Sequence, residues 1–545
     1  MDKDIQDLLI EAIKNALRDL SLDKTPLDVL LDLPQDPRFG DLSTNIALRL
    51  SSLTQRPSPE IAADIVNSIK KYSESSSLKD YLKEIRVEGG GFINFYLSLS
   101  FFYRQARAII TKGKTFFSQN LGRKKRVLVE FVSANPTGPL SIAHARQAAV
   151  GDALGKILDF SGFKVKREYY LNDEGNQINI LGKSVELRLK ELSGEAVDFP
   201  ADYYQGEYIR DIAIKIKNQK SKIKNFSEYG VKEILKNIKK DLSDFGVRFD
   251  YWYSQKDLRK SGKIKKALDF LQERGFLYEQ DGAVWFKSSE LGDDKDRVVV
   301  KSDGTFTYLT PDIAYHQDKF QRGFTWLINL WGPDHHGYIN RLKAAVKALG
   351  KDPQLLSIII VQLASLFREG KPIQMSTRKG QYITLREVLD EVGLDAARFF
   401  LLMRRTSSHL DFDLEVAKKE TPENPVYYIQ YAHARICSIL NNRPARINLK
   451  ALDLTLLKEG EEIELLKKFS RFSYILNICL KTQDPYMLTV YLQELAQSFH
   501  KFYDRHRVLG QEPHLVKARL TLIEATRIII ACGLELLGVS RPKKM

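Results

Sequence analysis

The chain has 545 residues, with 84 lysines and arginines against 69 acidic residues, and therefore a formal net charge of +15. This length exceeds what one hydrophobic core organises and predicts about three or four domains. The basic excess favours a polyanionic partner such as nucleic acid, although many basic proteins bind none. No apolar run approaches the roughly 20 residues of a transmembrane helix, so we expect no membrane partner.

The three cysteines, Cys437, Cys479 and Cys532, are far apart and lie within apolar helical patterns. This spacing fits neither a disulfide framework nor a zinc knuckle and indicates a reducing compartment. The first residues, Met-Asp-Lys-Asp, lack the basic and apolar regions of a signal peptide. We therefore expect a cytoplasmic protein and, because no sustained heptad pattern stands out, a monomer.

Residues 1–115 are predicted to form a small α+β domain. Apolar residues recur with helical spacing over residues 1–20, from Ser43 to Leu53 and from Ile61 to Ile69. The stretch from Gly89 to Leu97 alternates apolar and polar residues after three glycines, which is typical of a strand that follows a tight turn.

The stretch from Val127 to Leu158 predicts a strand, a tight loop and a helix. Such a unit leaves free backbone N–H groups at the N-terminus of the helix, where phosphate binds readily. His144 and Arg146 fall in the first helical turns and could add donors to a triphosphate. An ordinary strand-to-helix turn is equally compatible, because no P-loop or dinucleotide fingerprint is present.

Further buried strands are predicted at Lys164 to Tyr170, Phe324 to Leu330 and Ser357 to Leu363. A long insertion is predicted at about residues 165–295. Repeated strand-loop-helix units predict a doubly wound, Rossmann-like parallel sheet over residues 116–385, with ligand at the strand ends. For the lysines of residues 208–245, a solvated helix face is favoured over RNA contact.

A hairpin is predicted around Ser302-Asp-Gly, with strands at Arg297 to Lys301 and Thr305 to Thr310. From residue 386 to residue 545 the sequence predicts helices only, and the pair Asn424-Pro425 suits a helix start. A basic helical domain with interleaved tyrosines suits single-stranded RNA loops, although taken alone these tyrosines are better explained as core residues.

Polar residues follow several predicted strands. They are Glu130, Ser133 and Asn135, then Tyr308 and Asp312, then Asp334, His335 and His336. Carboxylates, an amide and a phenol in one pocket would suit a planar cation with several N–H donors, such as a guanidinium. A metal at His335 and His336 is disfavoured, because no third ligand stands at a suitable spacing.

The segment Gln374-Met-Ser-Thr-Arg-Lys-Gly is polar and carries two adjacent cations. It could close over pyrophosphate, or it could be an ordinary surface turn.

Several motifs, in order and nearly end to end, resemble those of the arginyl-tRNA synthetases, a family of class I aminoacyl-tRNA synthetases. They are Phe39-Gly-Asp-Leu-Ser-Thr-Asn, Gly91-Phe-Ile-Asn-Phe, Ser133-Ala-Asn-Pro-Thr-Gly-Pro-Leu, Tyr170-Leu-Asn-Asp-Glu-Gly-Asn-Gln, Ser302-Asp-Gly-Thr-Phe-Thr-Tyr-Leu-Thr-Pro-Asp-Ile-Ala-Tyr, Trp331-Gly-Pro-Asp-His-His-Gly-Tyr and Asn424-Pro-Val-Tyr-Tyr-Ile-Gln-Tyr-Ala-His-Ala-Arg.

The resemblance implies ATP-dependent ligation of L-arginine to arginine tRNA through arginyl-adenylate, with activation of arginine waiting for bound tRNA. ATP with Mg²⁺ would enter as a substrate complex, and no tightly bound cofactor is expected. The N-terminal domain would bind the tRNA elbow, and residues 386–545 would bind the anticodon.

The resemblance also implies roles for individual residues in binding arginine, in binding ATP, in catalysis and in binding tRNA. Arginine would be held by Glu130, Ser133, Asn135, Tyr308, Asp312 and His336. ATP would be held by Gly138, Ser141, His144, Gly332, His335, Met375 and Ser376. Catalysis would rest on Ser141, His144, Ser376, Arg378 and Lys379, and tRNA would contact Phe92, Asn94, Tyr431, Arg435 and Met545.

Two motifs depart from the family pattern. The phosphate-binding signature usually begins with histidine and has glycine third, but here it reads Ser141-Ile-Ala-His144. The mobile loop usually carries Lys-Met-Ser-Lys, but here it reads Gln374-Met-Ser-Thr377. The missing imidazole and two ammonium groups would each have contributed about 1.5–3 kcal/mol as charged hydrogen bonds.

The departures leave alternatives to an active ligase. One is a tRNA-binding protein on the same scaffold whose catalysis has decayed. Another is a different class I synthetase, and under this hypothesis the pocket would lack paired acids. For the active ligase we predict that Arg378, Lys379 or Lys371 replaces the missing loop cations.

Overall fold

The structure is a computed structural model that describes residues 5–23, 27–34, 36–74, 76, 78–219, 223–373, 382–443 and 453–545. The chain folds into two compact units. The first comprises Met1–Phe116, Arg435–Ser473 and Leu495–Ile529, and the second comprises Phe117–Ala434, Tyr474–Glu494 and Ile530–Met545. The predicted domain boundaries at about residues 115 and 385 stay a prediction.

In its described residues, the N-terminal part of the first unit combines helices with a small antiparallel sheet. Its elements are α1 (Ile5–Asp19), β1 (Leu42–Thr44), α2 (Ile46–Thr54), α3 (Ser58–Glu74), α4 (Leu78–Tyr81), β2 (Leu82–Glu88), β3 (Phe92–Leu97) and α5 (Leu99–Lys112). Strand β3 lies between β1 and β2. The predicted α+β character is confirmed, but Ser43 opens no helix, because it pairs with Asn94 in the sheet.

The second unit is built on strands that alternate with helices. In chain order its elements up to residue 418 are β4 (Arg126–Glu130), α6 (Ile142–Phe160), β5 (Lys164–Leu171), α7 (Asn176–Leu192), α8 (Glu207–Asn218), α9 (Phe226–Asp244), β6 (Tyr251–Ser254), α10 (Gln255–Lys260), α11 (Lys263–Glu273), β7 (Leu277–Gln280), β8 (Ala283–Phe286), β9 (Arg297–Val300), α12 (Leu309–Gln321), β10 (Trp326–Trp331), α13 (Ile339–Ala348), β11 (Leu356–Ile360), β12 (Ala364–Arg368), β13 (Lys371–Pro372), α14 (Leu385–Leu402), β14 (Leu410–Asp413) and α15 (Leu414–Lys418).

Five of these strands form one parallel sheet in the order β11-β10-β4-β5-β6. The strand order places the first strand, β4, at the centre, with later strands added on both sides. The predicted doubly wound parallel fold is therefore confirmed, and its ligand site is expected at the carboxyl end of β4.

Helix α6 packs closely against the chain that leaves β4. A Cβ atom on Gly151 would lie only 2.3 Å from the Phe131 ring, so this close approach requires glycine. Phe131 directly follows Glu130, the last residue of β4. The position of the site at the end of β4 is thus coupled to the packing of α6.

Two predictions about secondary structure are wrong. The predicted second strand at residues 305–310 makes only one bridge, between Val300 and Phe306, because the chain enters helix α12 at Leu309. The stretch after residue 386 is not wholly helical, since Leu410–Asp413 forms strand β14 parallel to β12. Leu410 and Phe412 are buried on one face of this short strand.

In the described residues after α15, the chain forms the long helices α16 (Pro425–Asn441), α17 (Gly460–Thr482), α18 (Tyr486–Arg505) and α19 (Pro513–Leu537). Each contributes residues to both units. All three cysteines are buried. Among the described residues, none of the helices combines the length and the apolar character needed to cross a membrane.

Candidate active site

A row of buried polar residues crosses the sheet at one register position. Glu130 on β4 pairs with Asn329 on β10 and with Glu168 on β5. These residues are 7%, 0% and 0% exposed, respectively. A buried carboxylate is costly without a cationic partner, so the row requires positive charge from a neighbouring element.

Helix α12 supplies that charge. The Lys319 ammonium is fully buried and donates to Glu130 Oε2 at 2.5 Å and to Asn329 Oδ1 at 3.1 Å. The Arg322 guanidinium donates to both oxygens of Glu168, at 2.6 and 2.9 Å. Each acid of the row therefore has its own cation within the protein.

Asp312, in the first turn of α12, lacks such a partner. Its Oδ2 accepts a hydrogen bond from the Tyr338 hydroxyl at 2.7 Å. Loss of solvation in the surrounding protein, reinforced by the nearby charge of Glu130, raises the pKa of the Asp312 carboxyl from 3.8 to about 7. A raised pKa of this origin marks a carboxylate that a bound cation would stabilise.

A chain of hydrogen bonds runs from Lys319, the partner of Glu130, to the backbone carbonyl of Asp312. Lys319 donates to Asn329, and the Asn329 amide lies 3.0 Å from His316 Nε2. His316 Nδ1 lies 2.8 Å from the Asp312 carbonyl oxygen. Because a carbonyl only accepts, His316 carries its proton on Nδ1 and accepts from Asn329 on Nε2. Burial lowers the pKa of His316 well below its usual value, so the ring is neutral.

The signal that could have revealed Lys319 and His316 is their spacing. Asp312, His316 and Lys319 stand at i, i+4 and i+7, and so lie on one face of α12. A polar helical face that is buried requires polar partners. Asn329, within an otherwise apolar strand, is the matching signal in the sheet.

The backbone after Glu130 adopts a strained conformation. Val132 and Ser133 have φ angles of 68° and 40°, which L-residues rarely adopt. The turn aims the Ser133 hydroxyl back at Glu130, to which it donates at 3.2 Å, while it accepts from the Tyr170 backbone N–H at 3.1 Å. The predicted pair Glu130 and Ser133 is thus brought together.

Asn135 connects this turn to a second motif. Its amide nitrogen donates to Gln177 Oε1 at 2.7 Å, and its oxygen accepts from Asn172 Nδ2 at 2.9 Å. Both partners belong to the stretch from Tyr170 to Gln177. Two motifs that are separate in sequence therefore form one rim of the site.

The N-terminus of α6 lies directly after this rim, and its signature residues contact each other. The Ser141 backbone N–H donates to His144 Nδ1 at 3.1 Å, and the Ser141 hydroxyl lies at the same distance from that nitrogen. Because Nδ1 accepts, the proton of the neutral ring is on Nε2. Burial lowers the pKa of His144 to about 4, so near neutral pH it offers one uncharged N–H donor.

If the N-terminus of α6 binds phosphate, as the sequence predicts, replacing His144 by alanine should slow the phosphate chemistry about 100-fold, because a positioned donor to the developing negative charge is lost. The rate should not titrate with His144 above about pH 5, since the pKa of the ring is about 4. Rapid-quench measurement of adenylate formation in both proteins tests this, with arginine affinity as the control that should not change. An unaltered rate in the variant would remove His144 from the mechanism.

Two tyrosines hold the loop before α6. Tyr208 donates to the Thr137 carbonyl at 2.8 Å, and Tyr382 donates to the Pro139 carbonyl at 2.9 Å. A Cβ atom on Gly138 would lie 3.2 Å from both hydroxyl oxygens, so glycine lets them approach. The free N–H groups at the start of α6 are thereby fixed in position.

Arg146 does not serve the phosphate site, contrary to prediction. The side chain is fully buried, and its guanidinium donates to four backbone carbonyls, those of Gln362, Leu363, Arg405 and Ser408. These four hydrogen bonds connect α6 to the chain segments that follow β11 and α14. Sequence reasoning placed it in the correct helical turn but could not tell which way it faces.

The remaining predicted residues of this site lie on exposed turns. The Tyr308 residue is 86% exposed at the start of α12. His335 and His336 are exposed in the turn Pro333–Tyr338, where the His335 ring packs against Trp331. A Cβ atom on Gly332 would lie 2.6 Å from Asp334 Oδ1, but that atom ends an exposed side chain that can move aside, so the turn does not require glycine there. Their roles toward arginine and ATP stay predictions.

The predicted site residues of the segment Gln374-Met-Ser-Thr-Arg-Lys-Gly, namely Met375, Ser376, Arg378 and Lys379, lie outside the described residues. Lys371, which precedes them on β13, is exposed. Within the described ranges, no cluster of three or more His, Cys, Asp or Glu residues has a geometry that could hold a metal ion.

The predicted tRNA-binding residues differ in exposure. In the first unit, Phe92 is 41% exposed, whereas Asn94 is buried and its amide donates to Glu88 at 3.2 Å. Also in that unit, the Arg435 guanidinium stacks 4.4 Å above the Tyr503 ring. In the second unit, Tyr431 stacks on Tyr427, and Met545 is 51% exposed. Their contacts with tRNA stay predictions.

Residues 105–420, more than half of the chain, match the family model of the class I tRNA synthetases (R), catalytic domain. The chain belongs to the class I arginyl-tRNA synthetase family. Residues 7–97 match the arginyl-tRNA synthetase N-terminal domain, and residues 429–545 match the DALR anticodon-binding domain. The family therefore accounts for nearly the whole chain.

Full-length relatives agree with the family assignment. An arginine–tRNA ligase of Citrifermentans bemidjiense is 45% identical over all of both chains. One from Geobacillus kaustophilus is 45% identical over 96% of each chain. The solved arginyl-tRNA synthetase of Thermus thermophilus, at 22% identity, shares the fold with a TM-score of 0.76 and covers 99% of this chain and 100% of its own.

Proposed function

We propose that the protein is an arginine–tRNA ligase, which activates L-arginine with ATP and transfers it to arginine tRNA. The observation that carries this proposal is the pocket charge: among Glu130, Glu168 and Asp312, only Asp312 lacks a cation of its own. A guanidinium supplies one positive charge and several N–H donors in a plane, which suits Asp312 beside Glu130.

In the first step, a carboxylate oxygen of arginine attacks the α-phosphorus of ATP, and the bond to pyrophosphate breaks. The free N–H groups at the start of α6 and the His144 Nε2–H face the phosphates and offset the negative charge that develops there. Asp312 and Glu130 hold the guanidinium, so that the attacking carboxylate is positioned at the helix N-terminus.

In the second step, a hydroxyl of the terminal tRNA ribose attacks the carbonyl carbon of arginyl-adenylate. The bond to AMP breaks, and the hydroxyl proton leaves as the ester forms. ATP enters with Mg²⁺ as a substrate complex, in which the metal screens phosphate charge. The bound tRNA is also required for the first step, and the enzyme acts as a cytoplasmic monomer.

An arginine-dependent exchange of pyrophosphate into ATP, run with and without arginine tRNA, tests this proposal. We expect exchange only when tRNA is present. No exchange in either condition would favour the alternative of a tRNA-binding protein without catalysis. Exchange that depends on another amino acid would instead indicate a different class I synthetase.

The family motif Lys-Met-Ser-Lys has two lysines that the segment Gln374-Met-Ser-Thr377 lacks. We expect a cation within or next to this segment to replace them. Alanine at Arg378, Lys379 or Lys371 removes one candidate at a time. Loss of the residue in use should slow adenylate formation about 10-fold to 150-fold, which corresponds to one charged hydrogen bond of about 1.5–3 kcal/mol. The readout is the single-turnover rate at saturating arginine. If all three variants keep the wild-type rate, the idea of compensation by these cations fails.

A further inference from the structure

Lys319 occupies the junction between the two acids assigned to the substrate guanidinium. Its ammonium bonds to Glu130 and to Asn329, lies 4.2 Å from the centre of the Tyr315 ring, and has no exposed surface. An ammonium so enclosed cannot reach substrate. Its influence must therefore pass through the groups that it contacts.

We infer that Lys319 is a positioning residue that neutralises Glu130 and so leaves Asp312 as the single uncompensated carboxylate available to a substrate guanidinium. This inference rests on the proposed function and adds to it a residue that selects a ligand with one positive charge. A pocket with one net negative charge becomes neutral when a guanidinium binds, and neutrality is what a buried site requires.

The contacts of Lys319 fix the position of Asp312 relative to Glu130. Lys319 and Asp312 stand seven positions apart on one face of α12, about 10 Å along the helix axis. Glu130 and Asn329 are register partners on adjacent strands. Lys319 bonds to Glu130 on β4 and to Asn329 on β10, and Asn329 lies 3.0 Å from His316, so helix α12, which carries Asp312, is tied to both strands.

The charged and titratable groups that face Asp312 come from four elements. They are Glu130 on β4, Tyr170 on β5, His316 and Lys319 on α12, and Tyr338 in the turn Pro333–Tyr338, with Arg341 of α13 against the Tyr338 ring. Of these, Lys319 lowers the pKa of Asp312 and Glu130 raises it. Removing Lys319 should therefore raise the pKa of Asp312, and removing Glu130 should lower it.

The test is the pH dependence of L-arginine binding to the full-length protein in the presence of arginine tRNA, measured by calorimetry. In the wild type, the dissociation constant should rise below a midpoint at about 7, because protonated Asp312 no longer attracts the guanidinium. Lys319→Met should raise that midpoint by about 1 pH unit, and Glu130→Gln should lower it by about as much. The double variant should return close to the wild-type midpoint.

Lys263→Met is the matched control, because Lys263 also pairs with an acid of α12, Asp318, but lies 41% exposed and outside the site. It should leave both the midpoint and the affinity unchanged. If Lys319→Met does not fold, Lys319→Gln, which retains a polar group for Asn329, replaces it in the same scheme.

The outcomes separate the two proposals. If Lys319 only packs the core, its variants should weaken binding equally at every pH with the midpoint unmoved, and the inference would be overturned while arginine binding by the wild type still stands. If the wild type binds no arginine, the proposed function fails and the inference fails with it. Opposite shifts that cancel in the double variant support the inference.

Discussion

Replacing Asp312 by asparagine should raise the KM for arginine roughly 30-fold to 1,000-fold or more, since removing one partner of a buried charge pair costs about 2–5 kcal/mol. Asparagine has nearly the same shape and can still accept from Tyr338, which bonds Asp312 Oδ2 at 2.7 Å. The loss should therefore come from charge and not from altered packing. Pyrophosphate exchange at varied arginine concentration measures it.

The same substitution should not destabilise the fold, which separates a substrate role from a structural one. The folded-state pKa of Asp312 is raised from 3.8 to about 7, so folding disfavours its ionised form. That cost is absent below pH 3.8, grows with pH and is complete above about 7. Urea unfolding at about pH 8 should show Asp312→Asn to be at least as stable as the wild type, with its advantage lost in acid.

A less stable Asp312→Asn variant at that pH, or an unchanged arginine KM, would contradict this account. Glu168→Gln provides the contrast. Glu168 is a buried acid in the same row but is paired with Arg322, so its loss should lower stability.

Replacing Gly151 by alanine is expected to reduce stability by about 1–3 kcal/mol, the usual cost of overpacking a core. The new methyl group would lie 2.3 Å from the Phe131 ring, and either α6 or Phe131 must move. Phe131 lies between Glu130 and the strained pair Val132 and Ser133, so arginine affinity should fall as well. Urea unfolding and calorimetry measure the two effects.

Gly460→Ala is the control for this substitution, because a Cβ atom at that position, the start of α17, meets no other atom within 4 Å. It should be close to neutral in stability and in affinity. An equally benign Gly151→Ala would show that the contact between α6 and the end of β4 does not fix the site.

Local patterns were sufficient for the elements that carry the site. The apolar run Val127–Val132, the Gly/Pro loop and the helical spacing after Ser141 all act within a few residues, and they predict β4 and α6 correctly. The strand itself ends at Glu130, because Val132 and Ser133 take positive φ angles that no propensity indicates. Short elements were less predictable: residues 305–310 look extended, yet the chain turns into α12 at Leu309.

The charge balance of the site could not be predicted, because it depends on register and on long-range contacts. Glu130 and Lys319 are 189 positions apart in the chain, and nothing local pairs them. The sequence did indicate that these polar residues suit a cation, but it could not show that the protein itself supplies one to Glu130. For this reason we propose that Asp312, which has no such partner, has the main role toward the guanidinium.

The most direct test of the central claim is the charging of arginine tRNA with L-arginine compared with L-citrulline, which replaces the guanidinium by an uncharged ureido group of similar shape. The uncompensated Asp312 predicts rapid formation of arginyl-tRNA and no detectable citrullyl-tRNA, since an uncharged group leaves that carboxylate without a cationic partner. Charging with citrulline at a comparable rate, or no charging with arginine, would contradict the account.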